Sequence, residues 1–372
     1  MFNQVLIISP EKWDAHAVSK HHYSMTLAGA GATVVFVNPP RDDAQNWVIQ
    51  KVEREENLFV LDGPPVARGL RFYPKWLRKR LEAAWLKRIE LMCAAQFDCI
   101  WLFENSRFFD MGFADDRLKI YHQVDLNQDF HPALAAKTAD ICFCTSDLIR
   151  TRLLEHTLRV HKIHHGTAAP RGPEPFNVEQ SRRFEGAVKN AVYIGNLDML
   201  YLDVDLLVLV VKSQPTVKFH FVGGYSESGR LWSAAKLLPN VIWWGKISSN
   251  VIPSIVSLAD VLMVTYQAAH WKDQSSPHKF MEYFASGKTI VATYTDEYKD
   301  KRHLLEMVDD SSDYVAVFGR VLADLAEYNS PARQAQRVAF AMDHSYPKQL
   351  VEIISILKKH GLVVPFTKSN QQ

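Results

Sequence analysis

Short apolar runs of strand type alternate along this chain with segments of helical spacing. The first set joins QVLIIS (4–9), a helical segment at 21–31 that glycine closes, and TVVFVNPP (33–40), which two prolines end. A strand, a helix and a second strand in this order form a βαβ unit, whose two strands pair in parallel. Further runs of strand type follow at 97–105, 118–125 and 139–146. The alternation therefore predicts an α/β protein built on parallel sheets.

The pattern stops at a segment rich in proline and glycine and then begins again. Pro170, Pro173 and Pro175 fall within 167–187, and such a density of breakers is typical of a linker. At 372 residues the chain is also too long for one ordinary core. We therefore predict two α/β domains of similar size, with these bounds: residues 1–168, a linker at 169–187, residues 188–345, and a last helix with its tail at 346–372.

Composition excludes several classes of protein. The 43 basic residues nearly balance the 41 acidic ones and form no charged tail, so nothing indicates a nucleic-acid partner. The start, MFNQVLIISP, lacks the features of a signal peptide, and the longest apolar run, VDLLVLVV, is too short to span a bilayer. The cysteines, Cys93, Cys99, Cys142 and Cys144, form no CxxC pair, which favours core packing in a reducing compartment. We expect a cytoplasmic protein that can still touch a membrane.

The stretch SSPHKFMEYFASGKTIVAT, which starts at Ser275, carries the most specific chemistry. Ser275 or Ser276 can cap a helix whose first position suits Pro277, and the free N–H groups of such a helix end favour a phosphate. Lys279 adds positive charge, and Glu282 on the same face can accept hydrogen bonds from hydroxyls. One helix end can thus hold the phosphates and ribose of a nucleotide. The spacing alone equally suits a plain Lys–Glu pair on a solvated face.

The same stretch resembles a known signature. The pattern P-x-K-x-x-E-Y-x-A-x-G-K-x-x-V-A-T, from Pro277 on, looks like the donor site of GT-B glycosyltransferases of group 1 and the family 4-like clan. The segments YIGNLDMLYLDVDLL, VKFHFVGG and NVIWWGKISSNVIPSIVSLADVLMVTY precede it in the family's order. The likeness covers most of residues 190–293. It implies the GT-B fold, in which two Rossmann-like domains face a central cleft and the last helix crosses back to the first domain.

Within this clan the chain is similar to the inverting group that includes the xanthan glucuronosyltransferase. In that group, too, a strand ending in Phe-Glu precedes a strand ending in Tyr-x-x-x-Asp, as the strands ending at Glu104 and Asp125 do here. The acidic residue that retaining sugar transferases carry eight positions before Glu282 is Gln274 here, and their G-V-D after the linker strand is G-T-A. Both departures favour inversion over retention.

The resemblance implies a role for each matching position. Donor binding falls on six residues: Gly195 and Asn196 in a loop facing the sugar phosphates, Tyr266 lining the nucleotide pocket, Ser276 at the helix cap, Lys279 on the diphosphate and Glu282 on the ribose. Asp125 would be the general base that deprotonates the acceptor hydroxyl, a task that suits a carboxylate at the end of a parallel strand. Glu104 competes for this role because it ends the neighbouring strand. Either carboxylate could instead cap a helix or bind a loop.

Other residues of chemical interest have plainer explanations. Asp203 and Asp205 spell the DxD triplet of metal-dependent transferases, but they open an amphipathic helix, where acidic residues complement the dipole. The histidine pairs are adjacent in sequence and do not form a metal site. We therefore expect no metal and no cofactor. The resemblance places His165 in a loop at a strand end, where it can line the cleft. His16 can contact the acceptor or stand as a solvated loop residue.

The segment RGLRFYPKWLRKRLEAAWLKRIEL, residues 68–91, combines eight basic residues with only two acidic ones. Trp76 and Trp85 recur on one helical face, while Arg78, Lys79 and Arg80 crowd the rest. This composition is typical of a helix lying at a membrane interface or docking an anionic lipid-linked acceptor. It equally suits a helix that packs on its own sheet and exposes a basic face. The resemblance favours membrane contact, since many bacterial GT-B enzymes act on lipid-diphosphate carriers.

Together these features predict a glycosyltransferase of cell-surface polysaccharide synthesis. It would move a sugar from a nucleoside diphosphate, UDP rather than GDP, to a saccharide or lipid-linked acceptor. Two alternatives stay open. The same architecture serves nucleotide-sugar epimerases, which need no acceptor, and a degenerate transferase could act as a non-catalytic partner subunit.

Overall fold

The computed structural model describes residues 2–14, 17–53, 55–126, 130–168, 178–186, 188–248, 251–272 and 277–362. The chain divides into two compact units. Unit 1 holds the residues up to His164 together with those from Tyr346 on, and unit 2 holds His165–Ser345. The predicted first domain therefore ends earlier than residue 168. The described part of the predicted linker, 178–186, belongs to unit 2, where the Phe184 ring stacks on His220 with centroids 4.0 Å apart.

Each unit is built on one sheet, as the alternation of strands and helices predicts. In the described residues, the strands of unit 1 are β1 Gln4–Ile8, β2 Thr33–Val37, β3 Val48–Lys51, β4 Leu58–Asp62, β5 Cys99–Leu102, β6 Leu118–Gln123, β7 Ile141–Cys144 and β8 Val160–Lys162. Those of unit 2 are β9 Asn190–Ile194, β10 Lys218–Val222, β11 Val241–Gly245, β12 Val261–Val264, β13 Thr289–Thr293 and β14 Glu306–Val308. Their orders are β3-β4-β2-β1-β5-β6-β7-β8 and β11-β10-β9-β12-β13-β14.

Helices connect these strands and cover the sheets. In chain order they are α1 Ser19–Gly29, α2 Lys75–Cys93, α3 Pro132–Thr138, α4 Asp147–Leu154, α5 Val178–Arg182, α6 Val204–Ser213, α7 Arg230–Ala235, α8 Ile252–Leu258, α9 Lys279–Ala285, α10 Tyr314–Ala323, α11 Leu325–Tyr328, α12 Pro331–Asp343 and α13 Tyr346–Lys359. No helix among the described residues combines the length and apolar character that crossing a membrane requires.

The strands of both sheets read as continuous apolar runs because helices bury both faces. Successive residues of one strand enter different cores: Ile7 and Trp101 pack on one side of the first sheet, and Ile8 and Leu102 on the other. All strand pairs are parallel except β3 with β4. The sequence patterns did not predict β3, because this edge strand is largely exposed and lacks an apolar run.

The last helix completes the core of unit 1. Tyr346, Leu350, Ile353 and Leu357 of α13 are buried in the same cluster as Tyr23 of α1. The Tyr23 hydroxyl donates a hydrogen bond of 2.6 Å to Gln349 Oε1. The chain thus returns from unit 2 to the unit in which it began, as the resemblance implies.

A buried arginine ties three segments of unit 2 together. Arg337 of α12 is almost fully buried and donates to the carbonyl oxygens of Leu304, Gly287 and Tyr328, at 2.8, 3.0 and 2.9 Å. Burial lowers the pKa of its guanidinium to about 10, so the group stays charged at neutral pH. Gly287 lies just beyond the end of α9, and Arg337 therefore helps to hold that helix in place.

We expect Arg337→Met to lower the free energy of unfolding by about 3 kcal/mol or more, because three buried carbonyls lose a charged donor. Urea titration measures this change. The matched control is Arg333→Met on the same helix. Arg333 is partly exposed, pairs with Glu306 and Glu327 and lies over the Tyr328 ring at 5.1 Å, so the loss of these surface contacts should cost less than about 1 kcal/mol. Equal effects of the two substitutions would contradict the anchoring role.

Candidate active site

Three neighbouring strands of unit 2 each run into a glycine with positive φ. Gly195 follows β9 with φ 147°, Gly223 follows β10 with φ 140°, and Gly245 ends β11 with φ 68°. The Gly195 N–H donates to Val222 O at 2.9 Å, and the Gly223 N–H donates to Gly245 O at 3.0 Å. L side chains rarely adopt these angles. The carboxyl edge of the sheet is therefore free of side chains at these three turns.

At Gly223 the backbone is packed too closely for any substituent, and at Gly195 a substituent would press on the Lys279 side chain. A Cβ atom on Gly223 would lie 1.9 Å from the Gly195 carbonyl oxygen, and one on Gly195 would lie 2.9 Å from the Lys279 ammonium. Ligands of parallel sheets bind beyond the carboxyl ends of the strands. Gly195 was predicted from sequence, but Gly223 and Gly245 were not, although the doubled glycine of FVGG was a signal for the former.

The Lys279 ammonium lies against aromatic rings at this edge. Its Nζ is 4.0 Å from the ring centroid of Tyr193 and 5.3 Å from that of Tyr266. The cation is thus held over two π faces. Among the described residues, no carboxylate lies within ion-pair distance of this ammonium. The sequence predicted Lys279 and Tyr266 at the site but not Tyr193, which lies inside β9 and reads as core.

Burial shifts both charged groups of the motif toward neutrality. It lowers the pKa of Lys279 to about 7, against the attraction of Glu282, and it raises the pKa of Glu282 to about 7, against the attraction of Lys279. A solvated Lys–Glu pair would shift in the opposite directions. The pKa shifts therefore do not fit a plain solvated pair, and among the described residues neither side chain forms an ion pair.

Helix α9 is fixed to the sheet by the tyrosine of the motif. The Tyr283 hydroxyl accepts a 2.9 Å hydrogen bond from the Ile194 N–H and donates to Met263 O at 3.4 Å. The helix begins at Lys279, with His278 at its N-cap, rather than at Pro277 as predicted. It has only seven residues, so its dipole is weak and the positive charge rests on Lys279 itself. Ser275 and Ser276, the predicted caps, lie outside the described residues, as does Gln274.

The other predicted donor residues have defined places. Tyr266 is buried; its N–H donates to Thr293 Oγ1 and its carbonyl accepts from Trp271 Nε1, both at 2.8 Å. Asn196 is exposed, and its Oδ1 accepts from the Asp198 N–H at 3.0 Å. The structure therefore brings Gly195, Tyr266, Lys279 and Glu282 to one edge, while the Asn196 side chain stabilises its own turn.

The DxD triplet is a helix start, as predicted. Asp203 is the N-cap of α6, and its Oδ1 accepts from the Leu206 N–H at 3.0 Å. Asp205 is 90% exposed and pairs with Arg230 at 3.5 Å. Within the described ranges, no three His, Cys, Asp or Glu side chains are arranged to hold a metal ion.

The two candidate bases of unit 1 have different surroundings. Glu104 is buried; it accepts from the Ser106 N–H and pairs with Arg107 Nη1 at 2.8 Å, so it binds its own loop. Asp125 follows β6 and is exposed to solvent, yet dense protein around it raises the pKa of its carboxyl and Lys20 lowers it in opposition. Asp125 is the carboxylate that remains available.

The two predicted acceptor-side histidines differ in how far they can be placed. His165 is buried in unit 2, and its ring meets that of His278 edge-on with centroids 5.4 Å apart, next to Lys279. His16 lies outside the described residues.

The prediction that helix α2 turns Arg78 and Trp85 to a membrane is wrong for these two residues. Arg78 is buried; its guanidinium pairs with Asp110 at 3.2 Å and covers the Phe109 ring at 4.2 Å. Trp85 is buried and packs on Phe108 with ring centroids 4.8 Å apart. The helix therefore packs on its own unit through this face. Trp76, Lys79 and Arg80, also predicted to face a membrane, are exposed.

Comparison with known proteins identifies a family whose model matches the second unit. Residues 188–327 match the family described as Glycosyl transferases group 1. A relative in Bacillus subtilis (strain 168), TuaH, is provisionally named a teichuronic acid biosynthesis glycosyltransferase. It is 27% identical over 198 residues, which are 50% of this chain and 49% of the relative. The match thus spans about half the length of that protein.

Solved structures match nearly the whole chain at low identity. Sucrose-phosphate synthase from Thermosynechococcus elongatus superposes with a TM-score of 0.68 at 13% identity, covering 96% of this chain and 98% of that one. WaaG, a glycosyltransferase of lipopolysaccharide biosynthesis, has a TM-score of 0.64 at 13% identity, covering 94% and 99%. A trehalose-6-phosphate structure from E. coli, bound with UDP-2-fluoro glucose, has a TM-score of 0.67 at 12% identity, covering 98% and 100%. These likenesses show the GT-B fold and confirm the predicted fold class.

We expect Gly223→Ala to lower the free energy of unfolding by at least about 3 kcal/mol, because its Cβ has no room and its φ is unfavourable. The matched control is Gly319→Ala inside α10, where the nearest heavy atom is 3.7 Å away. That change should raise stability by up to about 1 kcal/mol. Urea titration of both variants measures the difference. A stable Gly223→Ala protein would contradict the close backbone approach at this edge.

Proposed function

We propose that this chain, which has the GT-B fold and whose residues 188–327 match the group 1 glycosyl transferases, moves a sugar from a nucleoside diphosphate to an acceptor hydroxyl. One observation carries the proposal. The Lys279 ammonium lies at an edge kept bare by glycine, forms no ion pair with a carboxylate of the described residues, and stands one turn from Glu282. A diphosphate supplies the missing negative charge, and a ribose supplies hydroxyls for Glu282. The family match over residues 188–327 supports this chemistry.

We propose UDP as the nucleotide. The support is the GT-B structure from E. coli whose title records bound UDP-2-fluoro glucose. In this assignment Gly195 lets the sugar phosphates approach the backbone, and Tyr266 lines the pocket beside Lys279. Ser276 would complete the helix end, since serine is a preferred capping residue.

The proposed reaction is a single displacement with inversion. The acceptor oxygen attacks the anomeric carbon and passes its proton to Asp125, while the bond from that carbon to the diphosphate breaks and UDP leaves with the electron pair. Asp125 suits this task because it is exposed and its pKa is raised, whereas Glu104 is engaged by its loop. Lys279 neutralises the charge that develops on the leaving diphosphate. We propose that this lysine does the work a metal ion does in other transferases.

The acceptor we propose is a saccharide, lipid-linked or part of a growing polymer, in the synthesis of a cell-surface polysaccharide. The support is the relative in Bacillus subtilis, whose name refers to teichuronic acid biosynthesis. His165, beside His278, is a further candidate for contact with the sugars.

Ligand binding tests the donor assignment. We expect UDP-sugars to raise the melting temperature, because a ligand that binds only the folded state stabilises it. Lys279→Ala should weaken UDP binding by at least about tenfold, the loss of one charge-assisted contact. Lys288→Ala, in the same motif, is the matched control and should leave affinity unchanged. No shift with any nucleotide sugar would contradict the proposal.

Turnover tests the reaction class and the base. We expect Asp125→Asn to lower kcat by about 10²- to 10⁴-fold, the usual contribution of a general base, with donor affinity intact. UDP release should depend on added acceptor. Release or sugar isomerisation without acceptor would favour a nucleotide-sugar epimerase, and an Asp125→Asn protein with full activity would remove this residue from the mechanism.

The lowered pKa of Lys279 predicts how donor affinity depends on pH. The diphosphate binds the protonated amine, which the free protein loses as the pH rises through about 7, so affinity should fall above that pH. A terminal phosphate ionises near pH 6 and cannot cause this fall. Lys279→Arg keeps its charge and should remove the alkaline fall. Below about pH 7, protonation of Glu282 should weaken both proteins alike.

Calorimetry checks this behaviour. UDP affinities of both proteins are measured across the pH range, and wild-type binding near pH 8 is repeated in buffers of different ionisation enthalpy. Net proton uptake on binding is expected, and it is informative even where the arginine variant binds weakly. If the UDP affinities of the wild type and Lys279→Arg fall alike at alkaline pH, and no proton is taken up on binding, Lys279 is not the titrating group.

A further inference from the structure

The chain segment that leads into helix α2 exposes three aromatic side chains. Phe72 is 77% exposed, Tyr73 37% and Trp76 64%. The first belongs to a 3₁₀ turn, Leu70–Phe72, and the last to the first turn of α2. Single exposed apolar residues are common, but three within five positions form a patch that a protein rarely leaves in water without a use. Residues 68–80 are called the aromatic–basic surface below.

The charge of this surface is of one sign. Residues 68–80 contain six arginines and lysines and no acidic residue. Arg78 is buried, and the others are exposed: Arg68, Arg71, Lys75, Lys79 and Arg80. Lys75 and Lys79 have partners in Asp110 at 3.5 Å and Asp115 at 3.7 Å. In the part of the chain that the structure describes, no acidic group pairs with the three exposed arginines.

The buried side of α2 makes this surface a rigid one. Leu86 and Ile89 enter the core of unit 1 beside Trp85. Close to the patch itself, the buried ion pair of Arg78 with Asp110 fixes the first turn of the helix. The exposure of Phe72 and Trp76 is therefore a feature of a packed helix and not of a loose segment.

The topology places the aromatic–basic surface at the ligand-binding edge of unit 1. Helix α2 connects β4 to β5, and these strands run parallel through β2 and β1. A helix that joins parallel strands starts at their carboxyl edge and returns to their amino edge. Trp76, in the first turn of α2, is therefore near the edge at which β6 leads into Asp125.

We propose that the aromatic–basic surface docks unit 1 on an anionic lipid bilayer. Tyrosine and tryptophan favour the level of the lipid headgroups, and phenylalanine inserts its apolar ring. The exposed arginines, which have no acidic partner among the described residues, complement anionic headgroups, each strengthening binding near the membrane surface. A protein partner for this surface would need an acidic face around an apolar centre. A bilayer supplies both an anionic headgroup layer and an apolar interior.

The inference deepens the proposed function, on which it rests in one respect. If unit 1 binds the acceptor, docking on the bilayer brings its ligand-binding edge to a lipid-linked acceptor, which lies in the membrane. A lipid-linked acceptor then fits the structure better than a polymer free in water. Binding to lipid itself does not depend on transferase activity, so the two ideas can fail separately.

Co-sedimentation with vesicles tests the surface. We expect binding to phosphatidylcholine vesicles that contain phosphatidylglycerol, weakened by salt, and little binding to phosphatidylcholine alone. Phe72→Ser with Trp76→Ser, and separately Arg71→Glu with Arg80→Glu, should each reduce the partition coefficient by at least about tenfold. All four side chains are exposed, so the variants should fold.

Matched controls lie further along the same helix. Leu91→Ser removes a side chain that is 83% exposed, and Lys87→Glu with Arg88→Glu reverses two exposed charges. Both control proteins should bind vesicles like the wild type. Equal losses in control and test variants would overturn the proposal, as would a wild-type protein that ignores anionic vesicles. Loss of a dimer in Phe72→Ser with Trp76→Ser, without lipid binding, would assign the surface to a second copy.

Donor binding is followed in the same proteins. UDP affinity, and transfer to a water-soluble acceptor, should be unchanged in every surface variant. Lipid binding without any nucleotide-sugar binding would support the membrane surface and overturn the transferase proposal. Nucleotide-sugar binding without lipid binding would support the transferase proposal and overturn the membrane surface.

Discussion

The close approach of Gly195 and Gly223 is the constraint on which the candidate site depends. With only 1.9 Å between the Gly195 oxygen and any Cβ on Gly223, the two turns can only pack as bare backbone. The Lys279 side chain reaches this edge from α9. Tyr283 bonds that helix to the sheet, and Arg337 donates to the Gly287 carbonyl just beyond its C-terminal end, so buried hydrogen bonds fix the helix that carries the ammonium.

The charged groups of the two units show how burial sorts carboxylates and amines into structural and chemical roles. Glu104 is neutralised by a loop N–H and Arg107, and Arg78 by Asp110, so both are satisfied without a ligand. Lys279 and Glu282 are pulled toward neutrality, because desolvation outweighs their attraction for each other. Such frustrated groups gain most from a ligand that carries the opposite charge. Asp125 keeps its contact with solvent and can accept a proton.

Helix α2 shows why composition alone could not separate packing from docking. Its basic and aromatic residues suggested one amphipathic face, with Trp76 and Trp85 together. The structure divides them: Trp85 and Arg78 enter the core of unit 1, while Trp76 joins Phe72 and Tyr73 outside. The difference follows from the helical period: Trp76 and Trp85 are nine residues apart, so at about 3.6 residues per turn they lie on opposite faces of α2. The exposed set is smaller than predicted and lies at the start of the helix.

Much of this protein could be predicted from its sequence, because local chemistry decides it. Apolar runs of strand length specify buried parallel strands, the Asp203 triplet specifies a helix start, and the order of motifs around Lys279 and Glu282 indicates the fold. Tertiary structure alone decided the rest. Tyr193 looks like an ordinary core residue in the sequence, yet its ring contacts the Lys279 ammonium. Arg337 looks like a surface cation, yet it is buried and donates to three backbone carbonyls in other segments of the chain. Edge strand β3 needs β4 beside it to exist. That Glu104 binds Arg107 and its own loop while Asp125 is exposed also depends on tertiary packing. Sequence patterns report the periodicity of one element, whereas pKa values, exposure and partners are set by what packs against it.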